Sequence, residues 1–448
     1  MTSAMLKNLT GAKCDENTVA SFKSCRSVRN GPRLLEKDKV DKSKRRSYIK
    51  IPERKQAEMK YDFDEIVDRR QTNSLKWDIA EGELPMWVAD MDFKTAPEIT
   101  EAIITRAEHG VFGYSVIPDE WYDAYIGWWK DRQGIEYRKD ELIFSTGVIP
   151  IISSCVRKLT TAGENVLIMT PVYNIFFNCI KNNGRNVSEF ALDYSDGEYS
   201  INWKKLEKAL SDPQTSLMLL CDPHNPIGKI WDKETLAKIG EIAYDNGVTV
   251  ISDEIHCDIT DPGCKYVPFA AASEKCRDNC VICVAPTKTF NIAGLQTAAA
   301  IVPNARLRHK VWRALNTDEV AEPNAFAVCA AAAAFTKGAE WLDEMRQYIY
   351  ENKMLVDKFL KANIPQIKLV PSQATYLLWL DCTQICDNSR KFAKFIRGKT
   401  GLFLSNGVQY GNGEHFLRMN IACPKQTVLD GLERLKRAAE QWTVDNKQ

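Results

Sequence analysis

Five short, nearly continuous apolar runs separated by amphipathic stretches constrain this 448-residue chain more than any other feature. They lie at 166–169, 216–221, 248–252, 281–285 and 298–302. Each is of strand length and lacks polar alternation, so each reads as a strand buried on both faces. The stretches between several of them carry helical periodicity, as at 232–246. Apolar strands joined by helices predict an α/β fold, a mostly parallel sheet covered on both sides. Open sheets of this kind place ligands beyond the carboxyl ends of their strands. The residues that close these runs are therefore the first candidates for chemistry.

The rest of the chain divides around that core. An alanine-rich stretch at 325–335 suits a closely packed helix, and the last hundred or so residues change character. A helical period at 340–362 and strand-like segments at 374–380 and 416–421 predict a second, smaller α+β domain. The expected organisation is a basic flexible extension at 1–58, an N-terminal part of the small domain at 59–98, a large domain at 99–335, and the small domain again at 336–448. Residues 1–50 hold 13 Lys and Arg against 5 acidic residues and have no sustained apolar period, which predicts a mobile arm.

Composition narrows the function. A net charge of +1 argues against a global role in binding nucleic acid or a membrane surface. No apolar run approaches the ~18 residues of a membrane span, and the polar, basic opening has no secretory h-region. Fourteen cysteines, mostly inside apolar runs, suit buried reduced thiols in a cytoplasmic protein. None has a histidine at zinc-ligand spacing, so no metal site is expected.

Six pieces of sequence fall where the chemistry should be. Lys288 follows the run at 281–285; a lysine leaving a core strand is partly desolvated, which disfavours its ammonium and suits a Schiff-base amine. Asp253 closes the run at 248–252, and an acid there can keep a pyridinium nitrogen protonated. Asn225, set between Pro223 and Pro226, can donate to a phenolate oxygen, although Asn-Pro also makes ordinary turns. Gly147, Val148 and Ile149 form a small-residue turn leading into a helix, where free backbone N–H groups can meet a phosphate. Tyr173 also follows a strand and can stack on a flat ring. Arg418, alone in the apolar segment 416–421, needs a partner, either a structural acid or a substrate carboxylate.

In their order and spacing along the chain (Gly turn, Tyr, Asn-Pro, Asp, Lys, Arg) the set resembles the fold-type I pyridoxal phosphate (PLP) enzymes of aminotransferase class I/II, over about residues 59–442. Within them, Trp77-Asp78, the tryptophan-containing segment 85–93, Phe112-Gly113-Tyr114-Ser115, Asp253-Glu254-Ile255-His256 and segment 287–295 are similar to the PatB/MalY-type carbon–sulfur lyases. The segment beginning at Met59 resembles the natural start of this enzyme group, which implies that residues 1–58 are an addition to it. The resemblance implies PLP as cofactor, Schiff-based on Lys288, with Asp253 at the pyridinium, Asn225 at the 3′-oxygen and Tyr173 on the ring. It implies Gly147, Val148, Ile149 and Thr287 at the phosphate, joined by Tyr114 from the neighbouring subunit of a homodimer. His256 belongs to the same cofactor-binding set, while Arg418 and Trp87 would bind the substrate, a small sulfur amino acid. Two positions depart from the transaminase pattern: His256 replaces a tyrosine, and Gln296 replaces a phosphate-binding arginine. Both favour β-elimination of cystathionine or related cysteine S-conjugates over the first rival reading, an aminotransferase. Against the second, a regulatory protein on the same scaffold, stands the presence of every residue the chemistry needs.

Overall fold

The computed structural model describes residues 60–445. The extension expected at 1–58 therefore lies outside the described residues.

Seven strands form the main sheet: β1 (Leu142–Ser145), β2 (Asn165–Thr170), β3 (Asn186–Ala191), β4 (Thr215–Cys221), β5 (Thr249–Asp253), β6 (Cys280–Val284) and β7 (Ala298–Ile301). Their order is β1-β7-β6-β5-β4-β2-β3. Neighbours from β6 to β3 pair in parallel. β7 runs antiparallel to both β6 and β1, so β1 points the same way as the parallel set. The reversal at β7 has a local cause. The link from β6 holds only a one-turn helix, Pro286–Thr289, and a 3-10 turn, Ala293–Leu295, whereas a parallel return usually runs through a helix long enough to cross the sheet.

Side chains on the two faces enter separate cores. Val166, Ile168, Leu217, Leu219, Ile251, Val281 and Cys283 pack on one side with Ile151, Ile152, Cys155 and Val156 of helix α1 (Val148–Leu159). Leu167, Met169, Met218, Leu220, Val250, Ile282 and Val284 pack on the other with Leu236 and Ile239 of helix α2 (Lys233–Asp245). This double burial is the reason the strands read as unbroken apolar runs.

A second sheet has four strands, β8 (Lys368–Leu369), β9 (Leu377–Asp381), β10 (Ser405–Asn406) and β11 (Phe416–Asn420), in the order β8-β9-β11-β10. Helices α3 (Ala339–Asn363), α4 (Ser389–Thr400) and α5 (Lys425–Asp445) accompany it. The strand expected from 374 starts only at Leu377, because Thr375 has a positive φ of 69° and Ala374 bridges to Thr260 instead. Leu84–Pro85 pairs in parallel with Leu402–Phe403, bringing the chain before the main sheet alongside this second one.

One glycine holds the loop after β4 in place. Gly228 has φ +66°, and a Cβ there would lie 2.5 Å from Ser372 Cβ and 2.9 Å from the Ala374 carbonyl oxygen. Its own carbonyl accepts from the N–H groups of Gln373 and Ala374 at 2.8 and 3.1 Å. Gly228→Ala should cost about 2–4 kcal/mol, combining left-handed backbone strain with overpacking. Urea unfolding of the variant tests this, and an unchanged midpoint would mean the loop relaxes freely.

Candidate active site

The carboxyl ends of the parallel strands deliver the candidate residues to one edge. Cys221, Asp253 and Cys283 stand in register across β4, β5 and β6. Asp253 ends β5, while Asn225, Lys288 and Tyr173 follow within a few residues of the ends of β4, β6 and β2. Gly147 follows β1 at the same edge and precedes α1. Lys288 itself sits in the one-turn helix Pro286–Thr289 rather than directly on the strand. The 225–226 peptide bond is cis, as are 170–171 and 222–223.

Arg418 arrives from β11, opposite Trp379 and Ser405. It is 5% exposed. Its Nη1 donates to Asn225 Oδ1 at 3.2 Å and its Nη2 to the Trp87 carbonyl at 2.9 Å. The guanidinium lies 4.9 Å from the Tyr410 ring centroid. Its Nε is buried with no hydrogen-bond partner among the described residues, and so is His256 Nδ1. Arg418 thus joins the second sheet to the edge of the first, with a donor to spare.

A strap of backbone, 87–91, crosses the site, and side chains hold each of its carbonyls. Trp87 O accepts from Ser405 Oγ at 3.2 Å as well as from Arg418. Asn420 Nδ2 donates to both Val88 O and Asp90 O at 2.6 Å. Ala89 O accepts from Lys288 Nζ at 2.5 Å and from the Tyr376 hydroxyl at 3.1 Å. Met91 O accepts from Arg69 Nη1 at 2.8 Å and Asn291 Nδ2 at 3.0 Å. Below the strap Asp92 accepts from Arg69, Lys76 and the Trp77 indole at 2.7–2.9 Å. The Trp87 ring stacks on Phe403 at 4.7 Å between centroids.

Burial sets the protonation of this edge. It depresses the Lys288 amine below the ordinary lysine range; the Arg418 charge adds to this, and Asp90 and Asp253 oppose it. Burial raises Asp253 to about 7, offset in part by the Ile255 N–H bond and by Lys288. It lowers His256 to about 3, with help from Lys288 and Arg418. It pushes the Tyr173 phenol up to about 12.

The remaining candidates differ in how closely they join this edge. Among the described residues no side chain caps the first turn of α1, the turn that begins at Gly147, Val148 and Ile149. Thr287 is buried beside Lys288 in the short helix. Tyr114 is fully exposed on the loop after residue 110, away from the edge where the other candidates gather among the described residues. Gln296 is exposed in a left-handed turn, φ +54°. Sequence reading missed Tyr376, Asn420 and Asn291. Their partners are backbone carbonyls, which leave no mark in a sequence; the available signal was a polar group inside each apolar segment. Among the described residues, no cluster of His, Cys, Asp and Glu is suited to a metal ion, and no helix is long and apolar enough to cross a membrane.

Comparison with known proteins gives the family and the fold. A family model described as aminotransferase class I and II matches residues 84–435. Cystathionine beta-lyase PatB of Bacillus subtilis (strain 168) is 41% identical over 384 residues, covering 84% of this chain and 99% of PatB. Protein MalY of Escherichia coli (strain K12) is 33% identical, covering 84% of this chain and 98% of MalY. Cystalysin from Treponema denticola, whose crystal structure contains pyridoxal 5′-phosphate, superposes with a TM-score of 0.83 at 33% identity, covering 86% of this chain and 100% of that one. Shared sequence over this span, on a shared fold with its candidate residues gathered at one sheet edge, makes this chain a member of the class I and II aminotransferase family.

Proposed function

We propose that this protein is a PLP-dependent carbon–sulfur β-lyase, cleaving cystathionine or related cysteine S-conjugates to a thiol, pyruvate and ammonia. One observation carries the reading: a buried acid, a charge-disfavoured lysine and a buried arginine with a spare donor meet at the carboxyl edge of a parallel sheet. The similarity to PatB and cystalysin supports it.

The residues present fit the cofactor. Asp253 would keep a proton at the pyridine nitrogen. Arg418 occupies the carbonyl oxygen of Asn225, which leaves the amide Nδ2 to face the 3′-oxygen. Tyr173 would cover the ring, His256 would lie beside it, and the uncapped turn at Gly147, Val148 and Ile149, with Thr287, would take the phosphate. Bound there, PLP supplies an electron sink for the charge left when a proton departs from the substrate Cα. Arg418 holds the substrate carboxylate through a two-pronged contact. Lys288, held by burial in reach of its neutral form, takes the Cα proton. The β-carbon–sulfur bond then breaks with its electron pair leaving on sulfur, which takes a proton to become the thiol, while the pair left at Cα closes the Cα–Cβ double bond. Water then hydrolyses the released enamine to pyruvate and ammonia. Trp87 would wall the substrate side. His256 and Gln296, in place of the transaminase tyrosine and arginine, support elimination over transamination.

We also propose a cytoplasmic homodimer. Exposed Tyr114, with its neighbours Val111, Phe112 and Val116 also exposed, supports a loop that completes the partner's phosphate site. Residues 99–335 would form the cofactor domain, and 59–98 with 336–448 the smaller one.

Pyruvate release from cystathionine and cystine by the purified, PLP-loaded protein tests the activity. Lys288→Ala should lower it by on the order of 10³-fold or more; a variant with ordinary turnover would remove Lys288 from the mechanism. Arg418→Ala should lose about 2–3 kcal/mol of carboxylate binding, roughly 30- to 150-fold in KM. An unchanged KM in a folded variant would make the arginine structural.

Mixing Tyr114→Phe chains with Lys288→Ala chains should restore one intact site in each mixed dimer. Proven exchange without recovery would put both residues in one chain's site.

The acid at the sheet edge predicts a pH effect. Asp253 keeps its proton in the folded, cofactor-free chain up to about 7, whereas the unfolded chain releases it near the ordinary carboxylate value. The folded state therefore binds more protons in that window, and this contribution to stability falls as pH rises towards 7. Between about pH 5 and 7, Asp253→Asn should flatten the stability–pH curve of the cofactor-free protein by about 1 kcal/mol per pH unit relative to wild type. Parallel curves would contradict a buried, protonated Asp253.

A further inference from the structure

We infer that Tyr376 is a positioning residue for Lys288, acting through the Ala89 carbonyl that both groups bind. The inference rests on the proposed role of Lys288 as the base that takes the Cα proton.

The geometry is specific. The Tyr376 hydroxyl donates to Ala89 O at 3.1 Å, and Lys288 Nζ donates to the same oxygen at 2.5 Å. A carbonyl oxygen has two lone pairs, so this pair of donors fills it. On either side Asn420 Nδ2 holds Val88 O and Asp90 O, which prevents the peptide planes flanking Ala89 from turning. Once one N–H of the neutral Lys288 amine is committed to a fixed carbonyl, the direction of its lone pair is restricted. That is the orientation a proton-abstracting amine needs before reaction.

Tyr376 is suited to donate rather than to titrate. It is fully buried, and burial pushes its phenol well up. Its ring stands edge-on to His256, 6.0 Å between centroids. The charged and titratable groups facing this pair are Asp90, Arg418 and Tyr173 around Tyr376, and Asp90, Arg418, Asp253 and His256 around Lys288. None of them donates to Ala89 O among the described residues. The phenol is thus the second of two donors that define where the carbonyl points.

Tyr376→Phe removes the hydroxyl and keeps the ring. In the PLP-loaded protein it should lower kcat at least ~10-fold with KM within about threefold, because a misaimed base slows chemistry without weakening binding. A Cα-deuterium substrate should then show a larger isotope effect than with wild type. A second readout needs neither cofactor nor substrate. With the phenol gone, the whole carbonyl dipole acts on Lys288, which favours its ammonium. Labelling of Lys288 by acetic anhydride near pH 8, followed by peptide mass spectrometry, should therefore slow by about threefold. Replacing Tyr376 by para-aminophenylalanine restores a donor at the same place and should recover both properties. Should Tyr376→Phe fail to fold, this variant decides alone: near-normal kcat and labelling support the inference, and their loss in a folded protein overturns it. Unchanged kcat, isotope effect and labelling in Tyr376→Phe also overturn it. Failure of the lyase reading would appear elsewhere, as a wild-type protein that releases no pyruvate while the labelling difference persists.

Discussion

Side-chain capture of the strap carbonyls at 87–91 ties this structure together. Donors come from the second sheet (Arg418, Asn420, Ser405), from the residue just before β9 (Tyr376), from the segments after β6 (Lys288, Asn291) and from Arg69 ahead of the strap. A backbone segment without regular pairing leaves polar groups that must be satisfied when buried. Here two of the groups that satisfy them, Lys288 and Arg418, are themselves candidate functional residues. Arg418 reaches Trp87 O and Asn225 Oδ1 from one guanidinium, so the position of the substrate-binding candidate and that of a cofactor-binding candidate depend on each other. Loss of the strap would release both together.

The electrostatics of the edge follow from the same enclosure. Each strand that delivers a residue there is buried on both faces, so acid, amine and imidazole alike are driven towards their neutral forms. For Lys288 that shifts the balance towards the neutral amine that a base needs. For Asp253 the raised value belongs to the chain alone; a cationic ring nitrogen beside it would stabilise the carboxylate and lower it again. Asp253 is thereby poised to gain from a cation, and binding of the cofactor would relieve the cost of burying it. Behind it, Glu254 is also raised to about 7 by burial, though Tyr266, Ser252 and the Phe269 N–H all donate to it. The acids at this end of β5 are held by the fold at some expense to stability, as functional sites commonly are.

Much of this was legible in the sequence because the main sheet is buried on both faces. The runs at 166–169, 216–221, 248–252, 281–285 and 298–302 correspond to β2, β4, β5, β6 and β7. β3 escaped notice because it is an edge strand with only Phe190 buried, so no continuous run marks it. β1 is buried but only four residues long. Asp253 and Lys288 stood out by closing apolar runs, and Arg418 as the one charge in an apolar strand. The left-handed turn at Thr375, which delays β9, had no glycine to announce it. The strap was illegible for a different reason: it works through main-chain oxygens, which every residue carries. Tyr114 came from resemblance alone, since an exposed tyrosine in one chain has no partner that periodicity can reveal.

The amine gathered at this sheet edge is the group proposed to carry the cofactor, and the remaining roles depend on it. Borohydride reduction of the PLP-loaded protein, followed by proteolysis and mass spectrometry, tests this most directly, because reduction fixes the cofactor to whichever lysine holds it. The expected result is a pyridoxyl group on the peptide containing Lys288. Its attachment to any other lysine, or to none in a protein that has bound the cofactor, would contradict that role.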